Sequence, residues 1–118
     1  MDAAILSFVA QYSSTLDTVF EALTDPTRRA VIRRLGGGPA SVGELASEFT
    51  MALPSFLRHI RALEGSGLIR TRKTGRVRLC TLEHDRLAVV DGWLAEQRAI
   101  WESRTDRLEQ HLREAKDD

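Results

Sequence analysis

Residues 41 to 82 place the tightest limit on what this chain can fold into. Ser41-Val42-Gly43-Glu44 fits a capping box, with Ser41 as the cap and Glu44 reaching back. A short helix follows through Leu45, Ala46 and Phe49. Thr50 to Leu53 form a turn, and Pro54 opens a second helix. Its buried face is Phe56, Ile60 and Leu63, with Leu57 off that face, and Ser66-Gly67 ends it. The period then changes from 3.6 to 2. Ile69, Thr71, Val77, Leu79 and Thr81 suit strands, and Thr74-Gly75 supplies the turn between them. Two short helices, a tight turn and a Gly-tipped hairpin, in that order, leave few architectures open.

The flanks are helical. Ile5, Phe8, Val9 and Tyr12 fall at i, i+3, i+4, i+7, and Leu16, Val19, Phe20 and Leu23 repeat the pattern. The two stripes are nearly in phase, as one helix or as two. A break near Ser13-Ser14 is favoured, because Ser competes with helical backbone bonding. Asp25-Pro26 starts the next helix, with Asp capping free N–H groups and Pro at the first helical position. Ala30, Val31, Ile32 and Leu35 form its buried side, and Gly36-Gly37-Gly38-Pro39 stops it. From about Asp85 to Lys116 the chain reads as one long helix. Leu87, Leu94, Trp101 and Leu108 are spaced seven apart, with Val90, Trp93, Ile100 and Leu112 beside them. Such a seam marks a helix that packs along another helix. Gly92 within it predicts a weak spot or a close approach.

Charge follows the same division. Between positions 50 and 80 there are seven basic residues (Arg58, Arg61, Arg70, Arg72, Lys73, Arg76, Arg78) against one acid, Glu64. The whole chain holds 17 of each sign, so the remainder carries the compensating acidic excess. A neutral protein that concentrates positive charge on one element is shaped to meet a polyanion there. The expectation is a mainly α, winged helix-turn-helix DNA binder with one small hairpin. Arg70, Arg72, Arg76 and Arg78 lie at alternate positions, so they are expected to share one face of that hairpin.

The remaining sequence excludes other classes. A length of 118 residues fits one domain with a core of its own. Cys80 is the single cysteine, so no internal disulfide forms, which suits a reducing cytoplasm. No stretch approaches the roughly 18 apolar residues of a membrane span. The apolar N-terminal run lacks a basic n-region and a small-residue cleavage site, which speaks against a signal peptide. The three His are scattered, no Ser or Cys has a partner base at readable spacing, and no phosphate-cradling Gly loop appears; an enzyme is not expected. Cys80 as a redox switch, activated by Arg78, stands beside its plainer reading as a small buried hydrophobe.

Ala22-Leu23-Thr24-Asp25-Pro26-Thr27-Arg28-Arg29, Ser41 to Ala46, Met51 to Leu68 and Arg72 to Arg78 together resemble the ArsR/SmtB family of bacterial repressors. The resemblance spans roughly residues 15 to 115. It implies a symmetric homodimer of winged helix-turn-helix subunits bound to an inverted-repeat operator, with repression relieved by some signal, a small-molecule inducer among the options. It further implies an organisation of one domain, 1–118, with dimerisation helices at 1–24 and 85–116, a helix-turn-helix at 41–66 and a wing at 68–82. The paired Cys of arsenic- or cadmium-sensing members and the Asp/His pairs of zinc-sensing members are missing, so neither metal nor cofactor is expected. His111 and Glu114 alone make a weak site. The chain departs from the family pattern at Ala52, where Ser usually caps, and at Leu57, where a small polar residue is common.

On this reading the helix from about Leu53 to Gly65 enters the major groove with Ser55, Leu57, Arg58, His59 and Arg61. An exposed Leu57 suits a thymine methyl, and Arg58 takes a guanine or a phosphate. The wing contributes Arg70, Arg72, Lys73, Thr74, Arg76 and Arg78. Arg28 is a further phosphate candidate, against a plain surface pair with Arg29. Ile5, Phe8, Val9, Leu16, Leu87, Val90, Leu94, Trp101 and Leu108 are the expected dimer interface. The competing class is a winged helix that binds protein instead of DNA.

Overall fold

A computed structural model describes residues 2–117. In chain order they form α1 (Ala3–Ala22), α2 (Pro26–Leu35), β1 (Ala40–Ser41), α3 (Val42–Ala46), α4 (Leu53–Gly65), β2 (Ile69–Thr74), β3 (Val77–Leu82) and α5 (His84–Asp117). The strands make one antiparallel sheet in the order β1-β3-β2.

Caps fix the helix starts. Asp2 accepts a hydrogen bond from Ala4 N at the head of α1. Asp25 accepts from Thr27 N at 2.8 Å and Arg28 N at 3.1 Å, so two N–H groups that α2 leaves unpaired find one carboxylate. Ser41 Oγ accepts from Glu44 N at 3.0 Å. The Glu44 carboxylate completes the box differently from the expected pattern: it accepts the Ser41 hydroxyl at 3.2 Å and faces Arg34. Ala52 gives α4 no side-chain cap.

The core gathers one face of every element through β3, with Leu87 and Val90 of α5 packed against its edge. Val19 and Ala22 of α1 meet Val31 and Leu35 of α2, Leu45 of α3, and Phe56, Ile60 and Leu63 of α4. Ala40, Ile69, Cys80 and Leu82 close it from the sheet, with Leu68 between α4 and β2. The Phe49 and Phe56 rings lie 5.3 Å apart and brace α4 against the turn before it. Phe49 itself falls beyond the end of α3, which is one turn shorter than its apolar pattern suggested.

Three further expectations are corrected. First, α1 runs unbroken through Ser13 and Ser14. Both serines are exposed, and the exposed apolar stripe before them runs in phase into the buried Leu16 and Val19 after them, as one helix face requires. Second, Ala30 is exposed; Val31 and Leu35 alone hold the fully buried side of α2. Third, α5 passes Gly92 without interruption, and a Cβ there would meet nothing within 4 Å. Of the two readings of Cys80, its burial favours the plainer one, a small buried hydrophobe. Burial, then the Glu64 charge, push its pKa up, and Arg78 opposes them without prevailing.

Two helices leave the body. Residues of α1 pack on α5, with Phe20 and Trp93 edge to face at 5.5 Å. Past that contact α5 continues to a length of about 51 Å at 1.5 Å per residue. The radius of gyration is 20.6 Å, against about 13.5 Å for a compact chain of this length. Exposed apolar side chains line both projections: Ile5, Leu6, Phe8 and Val9 on α1, and Leu94, Ile100, Trp101, Leu108 and Leu112 on α5. No helix among the described residues is long and apolar enough to cross a membrane.

Burial works to raise the Asp25 pKa, but the N–H groups of Arg28 and Thr27 and the charges of His59 and Arg28 outweigh it and hold the carboxyl below its ordinary value. Its contribution to stability is therefore complete above the unfolded-state pKa and is lost as pH falls through the folded one. Asp25→Ala is expected to cost about 1 kcal/mol near neutral pH. Urea unfolding should show the gap to wild type closing as the solution is acidified; a gap that persists into strong acid would assign the cost to something other than the charged cap. Maleimide should label Cys80 only on unfolding, at a rate set by opening of the core. Rapid labelling of the native chain would contradict its burial.

Candidate nucleic-acid interface

Because Phe56, Ile60 and Leu63 commit one face of α4 to the core, the helix turns its other side outward. Ser55, Arg58 and Arg61 are exposed there. Leu57 and His59 are half-buried. Leu57 sits in a depression of about 400 Å³ with Val42, Ile60, Arg61, Glu64 and Arg78. It leans toward α3 and the wing, so the fully exposed leucine expected from the sequence is not what the fold provides. His59 turns its Nδ1 inward, 3.3 Å from the Arg28 guanidinium and 3.7 Å from Asp25 Oδ1.

The hairpin register decides where the wing cations point. Thr74 pairs with Val77, so Gly75 and Arg76 are the turn residues, not Thr74-Gly75. Gly75 has φ +62°, a backbone setting that glycine alone adopts cheaply, and Arg76 does not share it. With this two-residue loop, even positions of β2 face the same side as odd positions of β3. Arg70 and Arg72 therefore share a face with Leu79 and Thr81. Arg78 pairs with Lys73 and lies on the opposite face, with Thr71 and the buried Cys80. The expected single-faced row of four arginines is thus wrong: alternation holds within each strand and changes side at the turn.

Partners divide the cations further. Arg78 donates to Thr71 Oγ1 at 2.9 Å, and Thr71 in turn donates to the Glu64 carboxylate. This chain ties the root of the wing to α4. Arg70 pairs with Glu83 at 3.3 Å. Among the described residues, Arg58, Arg61, Arg72, Lys73 and Arg76 are exposed and make no ion pair. Five cations with neither an ion pair nor a side-chain hydrogen bond thus lie on α4 and the wing, with Thr74 exposed among them; Arg78, bonded to the neutral Thr71, is a sixth without an ion pair.

Arg28 is no exposed cation. Its Nε donates to Ala22 O at 2.6 Å and its NH2 to Glu21 O at 3.2 Å. Arg29 donates to Leu23 O at 2.8 Å. Both reach back to cap the C-terminal carbonyls of α1, a role cations fill well at a helix end. The sequence signal was present in Asp-Pro-Thr-Arg-Arg following a helix, yet only the chain reversal at Thr24 shows where those side chains go. Of the expected dimer residues, Leu16 is buried within the subunit at 8% exposure, and Leu87 and Val90 are half-buried against the core. Ile5, Phe8, Val9, Leu94, Trp101 and Leu108 remain exposed. The described residues contain no group of three or more His, Cys, Asp or Glu placed to hold a metal ion.

Residues 23–72 match a helix-turn-helix domain family. The chain is 36% identical over 74 residues to the HTH-type transcriptional regulator Rv2034 of Mycobacterium tuberculosis, covering 63% of this chain and 69% of that protein. It is 33% identical over 61 residues to the transcriptional repressor SdpR of Bacillus subtilis, covering 52% and 68%. The crystal structure of an ArsR family transcriptional regulator, RHA00566, superposes with a TM-score of 0.75 at 57% identity, covering 77% of this chain and 94% of that one. Fold and relatives agree: the chain belongs to the ArsR family of winged helix-turn-helix transcriptional regulators, which bind DNA and are not enzymes.

Proposed function

We propose that this chain is a cytoplasmic repressor that binds an inverted-repeat operator as a homodimer. The observation that carries the reading is the set of unpaired cations on α4 and the wing, Arg58, Arg61, Arg72, Lys73 and Arg76. α4 lies in the major groove, where Ser55, Arg58 and Arg61 meet base edges and phosphates. Leu57 reaches the duplex only along its exposed edge, and His59 only through Nε2. The wing follows the adjacent minor groove with Arg72, Lys73, Thr74 and Arg76, while Arg70, held by Glu83, and Arg78, bonded to Thr71, add positive field. With about three phosphates per subunit, the dimer releases about six counterions, and the log–log salt slope is roughly −5.

The dimer follows from what one subunit leaves uncovered. Phe8 is 71% exposed and Trp101 67%, and large apolar side chains repeat along both helices. Monomers rarely leave such a patch wet. In the proposed dimer Ile5, Phe8 and Val9 of α1 and Leu94, Trp101 and Leu108 of α5 form the twofold contact, and residues 1–24 and 85–116 are its dimerisation segments. Leu87 and Val90 support it from the core side, and Leu16 contributes by packing α1. A twofold pair sets its two α4 helices about 34 Å apart, one turn of DNA. An inducer acts by changing that separation.

Arg58→Ala with Arg76→Ala should abolish specific binding in a gel shift while the protein still elutes as a dimer; undiminished affinity would move the site elsewhere. Leu94→Glu with Trp101→Glu should give monomers that bind DNA at least tenfold more weakly, by sedimentation and gel shift together. A dimer that survives both charges would place the contact on another surface.

A further inference from the structure

Arg28 joins three elements that the DNA-binding reading treats separately. Its Nε and NH2 hold the last carbonyls of α1, Ala22 O at 2.6 Å and Glu21 O at 3.2 Å. Its backbone N–H is capped by Asp25 at the head of α2. Its NH1 lies 3.3 Å from Nδ1 of His59, in the middle of α4. All three guanidinium nitrogens are thus spent inside the subunit, and the residue is partly buried. An arginine has no acceptor to offer, so the contact with His59 is a hydrogen bond only when Nδ1 carries the lone pair. The ring proton then sits on Nε2. Asp25 Oδ1, 3.7 Å from the same Nδ1, faces it without reaching hydrogen-bond distance.

We propose that Arg28 and His59 are positioning residues for DNA recognition, a strut that fixes the recognition helix to the C-terminal end of α1. This rests on the reading that α4 enters the major groove. The α1 helix carries the exposed apolar residues assigned to the dimer contact at its other end. A change in subunit angle therefore reaches α4 through a short polar link as well as through the core. Arg28 acts through His59 and does not touch the duplex.

The test uses the full chain and a duplex selected from random DNA with the wild-type protein. Arg28→Ala should weaken binding about tenfold and leave the salt slope and the dimer unchanged, whereas a lost phosphate contact lowers the slope by about one. Arg28→Ala combined with His59→Phe should bind no more weakly than the weaker single variant, because both cut the same link. At position 59, Asn places an acceptor where Nδ1 stood, and Gln places a donor where Nε2–H stood. His59→Asn should recover most of the affinity that His59→Phe loses, and His59→Gln should not. A reduced salt slope in Arg28→Ala, losses that multiply in the double variant, or Asn no better than Gln would each overturn the strut. If Arg28→Ala does not fold, the position-59 series decides alone. Full binding by the Arg58→Ala, Arg76→Ala variant would instead indict the groove reading, leaving the two failures distinguishable.

Discussion

The burial of one face of α4 governs the rest of this molecule. Phe56, Ile60 and Leu63 are nearly inaccessible to water, and each contributes roughly 2 kcal/mol through the area it removes from solvent. Once those three point inward, helix geometry sends Ser55, Arg58 and Arg61 outward, whatever their chemistry. The same core receives Ile69, Cys80 and Leu82 from the sheet. The hairpin is therefore held beside α4 by the apolar face of its roots, and its polar tip extends beyond. No attraction between the cations is needed to gather them; hydrophobic packing does so against their mutual repulsion.

That repulsion explains why some of the basic residues are partnered. Arg70 at the root of the wing pairs with Glu83, and Arg78, one pair from the turn, donates to Thr71, which in turn donates to Glu64. Arg28 and Arg29 neutralise the negative end of α1. Arg58, Arg61, Arg72, Lys73 and Arg76 have no such partner. A polyanion supplies what they lack, and the long exposed seams of α1 and α5 supply the second subunit that makes the surface wide enough for two half-sites.

Most of the architecture was legible because its signals are local. Asp25-Pro26, Ser41 to Glu44 and Gly75 each act within a few residues, and the apolar period of α4 survives in the fold. In β3 the alternation holds but the buried side falls to Cys80 and Leu82, leaving Val77 and Leu79 exposed. What escaped depends on distance or on counting. The side of the hairpin taken by Arg78 follows from pairing across the turn: a two-residue loop sets even positions of β2 beside odd positions of β3, which alternation along one strand does not reveal. Arg28 read as a surface cation because its acceptors belong to a helix that ends before the chain turns back. The break expected at Ser13-Ser14 failed because their hydroxyls face water and the stripe beneath them is continuous. The two-residue β1 has no period to read at all; its pairing with β3 creates it. The candidate site was legible as a list of residue types. Which members are unpaired and which are spent internally required coordinates.

The most direct measurement is the sequence of the DNA that the intact protein retains from a random pool. A twofold arrangement of these surfaces predicts an inverted repeat, its half-sites centred about 10 base pairs apart or a multiple of that. Enrichment of a single unrepeated site, or no enrichment over the starting pool, would contradict it.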